Sequence, residues 1–201
     1  MDTVSDEYLQ SVHMLQHVLL GVVAPPLLVL GISPAMAARL QSVRLWSWLT
    51  GLVPAQLFAA AVMIGWHLPP LYDLTLQSEA VHICEHLTFI AAGAVFWCPV
   101  IESTGAQARR SLGGWGKVVY LLVGTIAQDG VSLALMFSRV PFYDFYTHAP
   151  RLSADLSPVI DQNLAGVLLM VVGKTSFAVA IVALFARMIS ADRRTEALST
   201  A

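Results

Sequence analysis

The sequence predicts an all-α protein of the polytopic membrane class, a helix bundle with about five transmembrane helices. Composition gives two observations: 57% of the 201 residues are hydrophobic and only 12% are charged, whereas a soluble domain carries about 25% charged residues. The third observation is that five segments each provide the roughly 20 mostly apolar residues that a helix needs to cross a bilayer. These segments leave little chain for a soluble domain, so we expect one membrane domain over residues 1–201.

The five predicted spans are separated by short polar connections. They cover residues 12–33, 46–67, 81–101, 116–138 and 162–189. Pro25 and Pro26 fall within the first span and Pro54 within the second. Neighbouring helices in a bundle can satisfy the carbonyl that a proline frees, so we expect kinks at these positions and not helix ends.

Lysine and arginine are divided unequally between the two sides of the predicted bundle. Eight lie on the side opposite the N-terminus: Arg39, Arg44, Arg109, Arg110, Lys117, Arg187, Arg193 and Arg194. Only Arg139 and Arg151 lie on the N-terminal side, which is also the side of Asp2, Asp6, Glu7, Asp73, Glu79, Asp144 and Asp155. Since positive residues are retained in the cytoplasm, we expect the N-terminus outside and the C-terminus inside.

Five of the six histidines are predicted to lie at one depth, near the outer face. His13 and His17 open span one, His67 closes span two, and His82 and His86 open span three. Residues four apart share a helix face, so each HxxxH pair presents two imidazoles to its neighbours. Helix bundles build metal sites from facing helices, and imidazole is the commonest metal-binding side chain. A lone interfacial histidine would be an ordinary hydrogen-bonding residue, but this clustering favours a metal site.

Several neighbours bear on which metal this site would bind. Imidazole suits zinc, copper, iron and nickel, and a thioether shifts the preference toward Cu(I). Met14 and Met63 lie beside the histidines, so copper is the expected metal. Glu79 and Glu85 are candidates for partners that orient a ligand histidine. Cys84 is predicted to face away from His82, and Cys98 lies far from the cluster; the two cysteines form no CxxC pair.

Four stretches resemble the multi-span CtaG family of cytochrome c oxidase assembly factors. They are HMLQHVLLGVVAPPLLVLG at 13–31, WHLPPLYD at 66–73, EHLTFIAAGAVFWCPV at 85–100 and SPVIDQNLAGVLLM at 157–170. The resemblance covers most of residues 13–170. It carries the site over to His13, His17, His67, His86 and Asp161, to which the HxxxH spacing adds His82.

The resemblance implies a role in delivering or inserting copper during oxidase maturation. The expected protein is therefore a multi-pass copper carrier of the bacterial cytoplasmic membrane, not an enzyme. Its expected partners are oxidase subunits or another copper carrier, together with membrane lipid. The net charge of −2 says nothing about a nucleic-acid partner, and the sequence has no basic patch, so none is expected.

Two other functions use histidines in membrane helices. A b-type haem protein needs one axial histidine from each of two helices, beside a cleft lined by small residues such as Gly21 and Gly93. An HxxxH pair leaves one imidazole without a role in that scheme. A membrane di-metal oxidoreductase of the desaturase kind uses many more histidines, on the cytoplasmic side.

Two charged residues are predicted to lie deep within the spans. Asp129 is near the middle of span four and Lys174 is in span five. Each is costly in lipid unless it is paired or hydrated. Their depths agree to within about a helical turn, so either a direct ion pair or two separate polar contacts would satisfy them.

Overall fold

The computed structural model describes residues 8–101, 112–150 and 155–199. Within these residues the chain is helical and contains no strand, which confirms the predicted all-α class. The helices are α1 (Gln10–Val18), α2 (Ala24–Gly31), α3 (Pro34–Ser42), α4 (Arg44–Leu49), α5 (Leu52–Trp66), α6 (Pro69–Gln77), α7 (Glu79–Trp97), α8 (Gly114–Phe137), α9 (Asp144–His148), α10 (Pro158–Val171) and α11 (Thr175–Ser199), and a π-helical segment, Leu19–Val23, joins α1 to α2.

Four to five of the described stretches can cross a membrane. Four are long and apolar enough alone: Gln10–Gly31, Glu79–Trp97, Gly114–Phe137 and Pro158–Ala191. Helices α5 and α6 qualify only together and are bent by 70° at their junction. Several residues used to predict orientation lie outside the described residues (Asp2, Asp6, Glu7, Arg109, Arg110, Arg151), as does the side chain of Arg194.

The second predicted span, 46–67, is divided in the structure. Its first residues belong to α4, and α5 begins only at Leu52, after Gly51. Pro54 is the third residue of α5, where its missing N–H would have no partner within the helix, so it causes no kink. The helix ends before Leu68, which is extended at φ −69° and ψ 130°. Pro69 excludes the helical conformation from the residue before it, which accounts for the bend.

The first span contains the expected proline distortion, in the form of a π-helical segment. Pro25 has no N–H for the Gly21 carbonyl, four residues earlier. Helix α7 passes close to that carbonyl: a Cβ atom on Gly93 would lie 2.5 Å from the Gly21 oxygen and would also meet Pro25. Gly93 therefore permits direct contact between α7 and the π segment.

The outer faces of the long helices are apolar, and the apolar interior also contains buried polar side chains. Large side chains on the outer faces of the long helices are apolar, as at Leu57, Ile126 and Val182. The buried residues that are polar or charged are Gln10, His13, His17, His67, Thr75, Glu85, Lys117, Gln128, Ser132, Asp161 and Gln162. Polar side chains within a membrane bundle are expensive and mark functional positions.

The last predicted span begins earlier than expected and is interrupted. Helix α10 starts at Pro158, where the Ser157 hydroxyl accepts a hydrogen bond from the Ile160 amide at 3.3 Å. Residues 172–174 form a turn before α11. Gln128 donates to the Leu169 carbonyl at 2.8 Å, which lies one turn before the interruption.

The direct ion pair, one of the two alternatives for Asp129 and Lys174, is present at this interruption. The Lys174 Nζ lies 2.6 Å from Oδ1 and 2.8 Å from Oδ2 of Asp129. The pair connects α8 to the turn between α10 and α11, and helices α8 and α10 pack closely along their length. A Cβ atom on Gly166 would lie 2.6 Å from the Met136 amide nitrogen, so glycine is required where α10 crosses α8.

Candidate metal centre

The five histidines predicted to cluster come together at one end of the bundle. Helix α1 supplies His13 and His17, the end of α5 supplies His67, and α7 supplies His82 and His86. The rings of each HxxxH pair are 4.3 Å and 4.2 Å apart between centroids. Across helices, the His13 and His82 rings stack at 5.2 Å, and the His17 ring lies 5.6 Å from His67.

Four side chains converge closely enough to hold one metal ion. Among the described residues, one ligand atom from each of His13, His82, Glu85 and His86 lies within 4.8 Å of the other three. We call these four residues, which are three histidines and one glutamate, the three-histidine group. Three imidazoles and one carboxylate form a nitrogen and oxygen donor set, which suits zinc, copper, iron or nickel.

Glu85, which the sequence predicts only as a possible partner of a ligand histidine, lies at the centre of the cluster. Its side chain is fully buried, with Oε1 3.3 Å from His17 Nε2 and Oε2 3.6 Å from His13 Nε2. A buried carboxylate is costly unless a positive charge or hydrogen bonds compensate it, and a metal ion held by these histidines would provide that charge. An acidic residue within an apolar span, one turn after His82, was the available signal for this role.

His67 is held in a defined orientation at the edge of the cluster. Its Nδ1 lies 2.7 Å from the Met63 carbonyl oxygen and its Nε2 lies 3.3 Å from the Met14 sulfur. The Tyr143 hydroxyl donates to the His67 carbonyl at 3.0 Å. Burial raises the pKa of Tyr143, so its phenol keeps the proton that this hydrogen bond needs. The Tyr72 ring stacks on the Tyr143 ring, with 3.8 Å between their centroids, and covers this edge of the cluster.

Asp161 lies at the same end of the bundle but not among the histidines. Its Oδ2 accepts from the Gln10 amide at 2.7 Å and its Oδ1 is 3.3 Å from the Ser11 amide. It therefore caps α1, the helix that carries His13 and His17, from a neighbouring helix. Both of its oxygens face backbone amides, and the metal-binding role of Asp161 stays a prediction.

The remaining candidates lie outside the cluster. Glu79 is exposed in the first turn of α7. Cys84 is exposed, which agrees with its predicted direction away from His82, and Cys98 is buried in a separate apolar cluster. His148 is at the end of α9 with 78% of its side chain exposed.

Gly21 and Gly93 do not form a haem cleft. They border a cavity of only about 60 Å³, lined also by Met63 and Phe89, whereas pockets for large ligands measure about 300 to 1,000 Å³. The two glycines instead serve the close contact between α7 and the π segment. The geometry thus favours an ion over a macrocycle.

A family model described as cytochrome c oxidase caa3 assembly factor matches residues 2–191 of the chain. No curated protein and no solved structure matches. The matched residues include the entire histidine cluster together with Glu85 and Met14.

Proposed function

Because the chain belongs to the family of cytochrome c oxidase caa3 assembly factors, we propose that it holds copper and delivers it during oxidase assembly. Family membership and a helix bundle of membrane type support the general role. The more specific part of the proposal is that copper is the ion carried and that the histidine cluster binds it.

The observation that carries the proposal is the convergence of the three-histidine group. Its ligand atoms lie within 4.8 Å of one another, at a buried position where a fully desolvated carboxylate gains from a nearby cation. The remaining two histidines of the cluster, His17 and His67, border the same space. Together the five imidazoles form a site able to retain a soft or borderline ion.

The cluster is proposed to face the outside of the bacterial cytoplasmic membrane. The eight-to-two bias of lysine and arginine in the sequence supports this orientation. Copper would then arrive from outside the cell or from another carrier, and leave to an oxidase subunit. The chain's own residues bind and release the ion, so no bond of a substrate needs to be broken.

Copper uptake by purified protein tests the proposal. We expect the detergent-solubilised chain to bind about one or two copper ions, from a limit of about four ligands per ion. Replacing His13 and His86 together by Asn should remove the ion from the three-histidine group and reduce both copper uptake and oxidase maturation.

His148→Asn is the matched control, because His148 is an exposed histidine at the same end of the bundle, outside the cluster. It should bind copper as the wild type does. Circular dichroism would establish that each variant keeps its helices. Unchanged copper uptake in the folded His13 and His86 double variant would overturn the proposal.

A further inference from the structure

The contact between Met14 and His67 places two electron-pair donors face to face. The Met63 carbonyl oxygen, 2.7 Å from His67 Nδ1, can only accept a hydrogen bond. The proton of the neutral imidazole must therefore be on Nδ1. Nε2 then carries a lone pair, and this lone pair faces the Met14 sulfur at 3.3 Å. Thioether sulfur has no proton to donate, so the two atoms form no hydrogen bond in this state.

We propose that Met14 and His67 form a second copper position, selective for Cu(I), beside the three-histidine group. This inference rests on the proposed copper function and adds a soft site to it. A thioether is a soft ligand that selects Cu(I), whereas the imidazole and carboxylate donors of the three-histidine group also suit zinc and Cu(II). A Cu(I) ion between Sδ and Nε2 would bind both facing lone pairs.

The surroundings fit a binding position more closely than ordinary core packing. Buried methionine usually fills irregular apolar gaps, and Met14 is fully buried in a cluster with Tyr72 and Tyr143. Its sulfur nevertheless lies against one ring nitrogen of His67, and the other ring nitrogen of His67 is held by a backbone carbonyl. A backbone hydrogen bond on the far nitrogen is the usual way in which a metal-binding histidine is oriented.

His17 lies between the two positions. Its ring is 5.6 Å from His67 and 5.8 Å from His86 between centroids, and its Nε2 is 3.3 Å from Glu85. Within this proposal His17 would be the third ligand to Cu(I), since its ring lies beside both positions, and it would link the soft position to the three-histidine group.

Met14→Leu tests the soft position, with Met63→Leu as the matched control. Leucine conserves most of the volume of methionine, so both variants should fold. Met63 contacts His67 through its backbone oxygen, which the substitution retains. Cu(I) affinity would be measured without oxygen against a chromogenic Cu(I) chelator, and X-ray absorption of the Cu(I) form would report sulfur ligation. Zn(II) binding would be measured in parallel.

The expected result is that wild type and Met63→Leu show sulfur bound to Cu(I), and Met14→Leu does not. Cu(I) affinity should fall by at least about tenfold in Met14→Leu, as it does when a metal site loses a supporting residue, while Zn(II) affinity stays unchanged. His67→Asn should give the same selective loss, because its amide can still donate to the Met63 carbonyl but has no counterpart of Nε2.

Two negative results have different meanings. If Met14→Leu retains sulfur ligation and full Cu(I) affinity while copper uptake still depends on His13 and His86, the soft position is wrong and the proposed function stands. If the wild type takes up no copper in either oxidation state, the proposed function fails and the soft position fails with it.

Discussion

At the residue scale, Asp161 shows how a side chain can control a site that it does not enter. Its carboxylate accepts from the first two amides of α1, Gln10 and Ser11. Leu9, which precedes the helix, has no side-chain oxygen to cap it. A negative charge at a helix N-terminus is also favoured by the helix dipole. Asp161 thereby holds the start of the helix that carries His13 one turn further on.

Replacing Asp161 should therefore affect stability according to hydrogen-bonding capacity. Asp161→Ala leaves two amides uncapped and should lower the free energy of unfolding by about 1 kcal/mol. Asp161→Asn retains one acceptor oxygen and loses the other, so its stability should lie between those of wild type and Asp161→Ala, while its copper affinity should stay near wild type. Denaturant unfolding in detergent and a copper titration would measure the two quantities.

Ser157→Ala provides the control for this prediction. It removes a capping hydroxyl from α10 without touching α1, so it should reduce stability and leave copper affinity unchanged. A strong loss of copper affinity in a folded Asp161→Asn protein would instead support the direct role in the metal site that the sequence predicts.

At the element scale, polar side chains of α8 bind to the turn at residues 172–174 and to the helix just before it. Gln128 donates to the Leu169 carbonyl, and Asp129 pairs with Lys174, which lies in the turn itself. Interrupted helices are tolerated at membrane depth when neighbouring helices satisfy the exposed backbone groups. Consecutive residues of one helix thus stabilise the break in another.

The losses of stability caused by mutating the two residues of the ion pair should not be additive. Lys174→Met or Asp129→Asn alone leaves one charge unpaired, which costs about 3 to 5 kcal/mol for a buried pair. The pair is partly exposed, so we expect the lower part of that range. The double variant should be more stable than either single variant, as measured by unfolding in detergent. Additive losses in this double-mutant cycle would show that the two residues do not interact.

At the scale of the whole molecule, the histidine cluster forms at one end of the bundle. The starts of α1, α7 and α10 and the end of α5 meet there, as the His13–His82 and Gln10–Asp161 contacts require. All five histidines must therefore lie on the same side of the membrane as the start of α1. Under the proposed function, the side that this end faces would decide which copper pool the protein can use.

Topology reporters would test the proposed outer location. The lysine and arginine bias predicts that a reporter active only in the cytoplasm works at the C-terminus and not at the N-terminus. An in-frame reporter after α6, before α7, would check the histidine end separately. The reverse pattern would move the cluster to the cytoplasmic side and favour the desaturase-like alternative.

The sequence by itself determined the helical class of membrane type, the placement of five histidines at one depth and the similar depth of Asp129 and Lys174. Each follows from composition and from position along a helix of known rise. Family resemblance could be read from the same motifs, because their order along the chain is visible without coordinates. The bend that follows α5 could also be predicted, since Leu68 precedes a proline.

Only the tertiary structure decided which groups meet. Helical periodicity gives the face and depth of a side chain, but not the rotation of one helix relative to the next. The central place of Glu85 between His13 and His17, the capping of α1 by Asp161 and the facing donors of Met14 and His67 all depend on that rotation. These contacts join residues on different helices, so they arise from packing and not from local sequence.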